Sequence, residues 1–133
     1  MTWLVKKEHL ASAFGSGLVD VLATPVLVGF CEECARLMVE PRLKEGQKTV
    51  GISINLKHLA ATPSGMHVTV KAELVKVDKR RLSFRIVVWD EKERVCEAEH
   101  ERFIIDADRF EQRIKEKAKK ARQASSLGFQ SSR

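Results

Sequence analysis

The second half of the chain alternates between apolar and polar positions. Val50, Ile52, Ile54, Leu56 and His58 are separated by Gly51, Ser53, Asn55 and Lys57, and this period of two predicts a strand with one buried face. Met66, Val68, Val70, Ala72 and Leu74 repeat the pattern, with a bulge expected where Leu74-Val75 breaks its phase. Leu82, Phe84, Ile86 and Val88 form a third alternation. Cys96, Ala98, His100, Arg102 and Ile104 share one face of a fourth, over 94–105. The segments between them, Ala61-Thr62-Pro63-Ser64-Gly65, Asp78-Lys79-Arg80 and Asp90-Glu91-Lys92-Glu93, are turns by composition. Connections this short imply antiparallel neighbours.

The first half reads differently. Thr2–Leu10 has the β-branched and aromatic content of an edge strand, and 11–22 contains Gly15-Ser16-Gly17 and reads as a loop or a short turn of helix. Thr24-Pro25 is a helix start, with Thr as the cap and Pro at the first helical position. The helix runs through Val26, Leu27, Val28, Phe30, Cys31, Cys34, Ala35, Leu37 and Met38 until Pro41 stops it. Its first two turns are apolar on nearly all sides, which predicts a buried helix. A long antiparallel sheet with one apolar face, and one largely apolar helix, satisfy each other when the sheet wraps the helix. This α+β arrangement is the hot-dog architecture. Residues 106–122 follow as a mostly polar amphipathic helix, and 123–133 as a Ser/Gln-rich disordered tail. The expected division is a hot-dog domain over 1–108 and a basic helix and tail over 109–133.

Composition narrows the function classes. The net charge of +6 suggests polyanion binding until it is located. Residues 1–108 carry 16 basic and 16 acidic side chains, and residues 109–133 carry eight and two. The excess lies in the tail, so nucleic acid is not the expected partner of the domain. The longest near-apolar run, Val19–Cys31, is too short and too interrupted to span a membrane. No signal-peptide pattern opens the chain, and three cysteines without framework spacing suit a cytoplasmic protein. Cys31 and Cys34 form a C-x-x-C inside the apolar helix, where they read as small buried hydrophobes rather than as a redox or metal pair.

Three residues stand out chemically. His58 shares the inward phase of its strand, as either a structural or a catalytic imidazole. Glu32 lies two turns into the most apolar helix beside Glu33. It is either enclosed, with its pKa raised by desolvation, or paired with Arg36. Thr24 is explained as a helix cap, yet the start of a buried helix also suits an oxyanion. Along a straight helix Thr24 and Glu32 are ~12 Å apart, so substrate or a partner subunit must unite them.

The runs Ala23-Thr24-Pro25-Val26-Leu27-Val28-Gly29-Phe30-Cys31-Glu32 and Gly51–Gly65 resemble the fluoroacetyl-CoA-thioesterase-like branch of the hot-dog thioesterases. His58-Leu59-Ala60-Ala61-Thr62-Pro63-Ser64-Gly65 is the most specific part, and His100-Glu101-Arg102 also fits. The resemblance covers roughly residues 5–110. It implies a catalytic set of Thr24, Glu32 and His58, with Gly51 and Arg102 lining the substrate site. It implies hydrolysis of a small or medium acyl-CoA to free acid and CoA by a homodimer, or a higher assembly, without metal or cofactor. Glu32 would serve as nucleophile or as base. The stretch 17–22 lacks aromatic residues, so selectivity for fluoroacetate is not part of the expectation. The competing expectation is a non-catalytic acyl-CoA-binding protein of the same fold. A hot-dog hydratase is disfavoured because the Asp/His pattern of that branch is missing.

Overall fold

A computed structural model describes residues 1–126. Five strands form one antiparallel sheet: β1 (Thr2–Leu4), β2 (Gln47–His58), β3 (His67–Asp78), β4 (Arg81–Trp89) and β5 (Arg94–Asp106), in the order β1-β3-β4-β5-β2. A short helix α1 (Ala11–Phe14), the central helix α2 (Thr24–Val39) and a C-terminal helix α3 (Ala107–Ser126) complete it. The expected hot-dog architecture is present. The N-terminal edge strand is shorter than its composition suggested. It ends at Leu4, and Lys7–His9 turns as a 3-10 helix. Helix α3 continues through Ser126, four residues past the expected helix end, so 123–126 are not disordered. The rest of the tail, 127–133, lies outside the described residues.

The α2 face made by Leu27, Phe30, Cys31, Cys34 and Ala35 packs on Val68, Val70, Phe84, Ile86, Val88 and Cys96. Trp3 stacks on Phe30 with ring centroids 4.7 Å apart, closing the core at the β1 edge. Cys31, Cys34 and Cys96 are free and buried. Contact with Cys96, and then burial, hold the Cys31 thiol far above its ordinary range, which fits a packing role. The bulge expected at Leu74-Val75 is present, since register shifts between Leu74 and Lys76.

A second bulge was not anticipated. In β2, Gly51 pairs with Arg102 and Ser53 with Glu101, so Ile52 is an extra residue between them. The insertion reverses the phase of the strand's first half. Thr49 and Gly51, rather than Val50 and Ile52, face α2, and Ile52 is 46% exposed. Beyond the bulge Ile54, Leu56 and His58 turn inward as expected.

Candidate active site

The Ala60-Ala61-Thr62-Pro63 turn brings the end of β2 to the start of α2. Thr62 is fully buried; its hydroxyl donates to Asp90 Oδ2 at 3.0 Å, and its carbonyl accepts from the Leu22 amide at 2.8 Å. Asp90 is itself fixed by the Lys92 and Glu93 amides. The turn therefore docks against the residues just before α2. His58 Nδ1 comes within 2.7 Å of Thr24 Oγ1.

This contact changes the reading of Thr24. The cap position belongs to Ala23, whose carbonyl accepts from Leu27, and no side chain caps the helix. Thr24 begins the helix proper, and its hydroxyl is directed to His58 instead of the backbone. His58 Nε2 is enclosed and has no hydrogen-bond partner among the described residues. Burial lowers the His58 pKa below its usual 6.5, while the nearby Ala60 backbone acts in the other direction. The imidazole is thus neutral at neutral pH and able to accept a proton. Thr24, His58, Ala23 and Ala60 line an open groove of about 390 Å³ with Ser16 and Val21.

Glu32 belongs to a second cluster, two turns along α2. Its side chain is 41% exposed rather than enclosed. Nor does it pair with Arg36, which instead binds Glu40 at 3.1 Å. Glu32 Oε2 lies 3.9 Å from Nη1 of Arg102. Arg102, 5% exposed, donates from Nε to Thr49 Oγ1 at 2.9 Å and from Nη2 to the Thr49 carbonyl at 3.1 Å. Its Nη1 also lies 3.2 Å from His100 Nε2. Gly51 forms the floor: a Cβ there would come within 2.8 Å of Glu32 Oε2 and 3.4 Å of Arg102 Nη1.

Within one protomer, then, Thr24 and His58 meet, and Glu32 meets Gly51 and Arg102. The two groups do not meet each other. His100, which shares the inward phase of β5 with Arg102, is not among the three residues that stand out in the sequence. The described residues contain no group of three or more His, Cys, Asp or Glu side chains placed to hold a metal ion.

The family model described as fluoroacetyl-CoA-specific thioesterase matches residues 5–108. The chain belongs to this family. The fluoroacetyl-CoA thioesterase of Streptantibioticus cattleyicolor is 39% identical over 99 residues, covering 74% of this chain and 70% of that protein. A solved fluoroacetyl-CoA thioesterase superposes with a TM-score of 0.84 at 30% identity, covering 88% of this chain and 91% of that one. A Thermus thermophilus protein of the thioesterase superfamily gives 0.82 at 27% identity, covering 90% of each chain. The family match ends at 108, so it includes both clusters and stops just inside α3.

Proposed function

We propose that this protein is an acyl-CoA thioesterase, releasing free acid and CoA from small or medium acyl-CoAs, and that it works as a homodimer. The observation that carries the reading is the pairing of a neutral imidazole with a hydroxyl at one end of β2 and of a carboxylate with a guanidinium at the other. Its family membership supports the same chemistry, and a variant of the solved relative has been obtained with acetyl-CoA.

The exposed sheet edge supports a dimer. β2 is a twelve-residue edge strand, and among the described residues nothing pairs with its outer side. Such an edge is a template for a second strand. Antiparallel pairing with a second β2 about a twofold axis at Asn55 sets the Gly51-Ile52 bulge opposite the partner's His58. Each Glu32 cluster then faces a Thr24–His58 pair across the boundary.

In this arrangement the thioester carbonyl lies at the start of α2, where the free amides of the first turn stabilise the developing oxyanion. The Glu32 carboxylate bonds to the carbonyl carbon, or takes a proton from the water that does. The C–S bond breaks and sulfur leaves with its electron pair as a thiolate. On the water route the proton that Glu32 took passes to the thiolate by way of Thr24 and His58. On the covalent route water cleaves the mixed anhydride, freeing the acid and Glu32 and giving its proton to the thiolate through His58. In H₂¹⁸O, label appearing in the Glu32 carboxylate marks the covalent route with water attacking the Glu32 carbonyl. The three free cysteines suit a cytoplasmic setting.

The test is thiol release by purified protein from a panel of acetyl-, branched, medium-chain and aryl-CoA. Release is expected, and Glu32→Gln should reduce it at least ~10²-fold. Tight binding without release from any chain length would overturn hydrolysis in favour of a non-catalytic acyl-CoA-binding protein.

A further inference from the structure

His100 is 1% exposed, stacked near Phe84 with ring centroids 6.0 Å apart, and has a polar partner on each nitrogen. Nδ1 lies 2.7 Å from the Ser53 carbonyl, which can only accept, so Nδ1 carries a proton. Nε2 lies 3.2 Å from Arg102 Nη1, which can only donate, so Nε2 presents a lone pair. The two contacts define a single tautomer of a neutral ring. Arg102 is held at three points, by Thr49 Oγ1, the Thr49 carbonyl and His100, and the His100 contact shares Nη1 with the Glu32 carboxylate.

We infer that His100 is a positioning residue, a neutral Nδ1–H imidazole whose Nε2 turns the Arg102 guanidinium towards Glu32. Thr49 fixes the far side of the guanidinium, and His100 sets the direction of Nη1. Protonating His100 would place a donor against a donor and release that orientation. Every neighbouring charge bears on this balance: Arg102 and Glu32 face the ring, Glu101 lies beside it on β5, and Arg36 lies behind Arg102 on α2, whereas β4 contributes the uncharged Phe84. Burial favours the neutral ring first; the Ser53 carbonyl opposes it, and the Arg102 charge favours it again. The effect on turnover rests on the thioesterase reading above, but the tautomer and the Arg102 geometry do not.

Two substitutions separate the halves of the ring. His100→Asn keeps a donor near Ser53 and loses the acceptor at Nε2, while His100→Gln can place an amide oxygen at Nε2 and loses the Ser53 donor. With KM little changed, kcat should fall about tenfold or more in His100→Asn, and His100→Gln should recover most of the loss. Equal losses in the two variants, or a loss that follows their thermal unfolding, would overturn the positioning role. ¹H–¹⁵N spectra of the intact wild type give a second reading that needs no turnover. His100 should show Nδ1–H and an unprotonated Nε2 at neutral pH and take up a proton only below the ordinary 6.5, with a slowly exchanging Arg102 guanidinium signal that His100→Asn loses and His100→Gln keeps. An Nε2–H tautomer, or ordinary titration near 6.5, would overturn the assignment. If the wild type released no thiol, the hydrolysis reading would fall and the spectra would still decide His100.

Discussion

Gly51→Ala is the sharpest probe of the carboxylate cluster. The added methyl would lie 2.8 Å from Glu32 Oε2, whereas ordinary contacts begin near 3.4 Å. The oxygen must therefore retreat by roughly 0.6 Å, further from an Arg102 Nη1 that is already 3.9 Å away. Because the Glu32 side chain is 41% exposed, it can yield by changing rotamer without disturbing the core. Folding stability should stay within about 1 kcal/mol of wild type. Activity should not. A displacement of about 1 Å at a reacting group can cost ~10²-fold, so kcat is expected to fall about 10- to 100-fold. Thiol release and thermal unfolding, measured on the same preparations, separate the two effects. Gly29→Ala serves as the control, since a Cβ there meets nothing within 4 Å and a helical alanine is favoured by about 0.5–1 kcal/mol. Wild-type kcat in Gly51→Ala would refute the reasoning, and so would a loss explained by unfolding. A rise in KM alone would show that Gly51 touches substrate without governing Glu32.

Stability should depend on pH below neutrality. His58 and His100 are both held below the ordinary 6.5, chiefly by burial. The unfolded chain therefore binds protons first, and stability that is full above about 6.5 should be lost as pH falls through that value, by at most ~1.4 kcal/mol per pH unit per histidine. Denaturant unfolding at pH 7.5 and 5.5 checks this, and no difference would contradict the burial of the rings. Mixing Glu32→Ala with His58→Ala subunits tests the shared site: random exchange should restore about a quarter of wild-type activity, because each mixed dimer has one intact site. No recovery, with exchange verified by mass, would place both residues in one protomer.

The three later strands were legible because their apolar residues alternate over most of their length and their turns carry turn chemistry. The bulge at Leu74-Val75 could be read because two adjacent apolar residues break the alternation. The bulge at Ile52 could not. Val50, Ile52 and Ile54 keep a regular period while the backbone inserts a residue, and Gly51 is the only local sign. Thr24 was misread as a cap because local composition cannot reveal a hydroxyl bonded to a residue 34 positions away. The apolar helix offered enclosure of Glu32 or pairing with Arg36, but the side chain is 41% exposed and lies against Gly51 and Arg102, partners brought to it only by the fold. His100 was visible on the inward face of β5, yet its partners, the Ser53 carbonyl and Arg102, became partners only through the folded register of β2 against β5.

That register gives Ile52 a meaning beyond irregularity. Gly51 and His58 are seven residues apart, an odd interval, so a regular strand would direct them to opposite faces of the sheet. One inserted residue restores a common face. It turns Thr49 inward to anchor Arg102 and sets Gly51 beneath Glu32. The resumed alternation then delivers His58 to Thr24. A regular β2 could present the carboxylate floor or the imidazole to α2, but never both. The bulge lets one edge strand carry the Glu32 cluster at one end and the Thr24–His58 pair at the other, and in the proposed homodimer antiparallel pairing of that strand with its own copy would bring the unlike ends together.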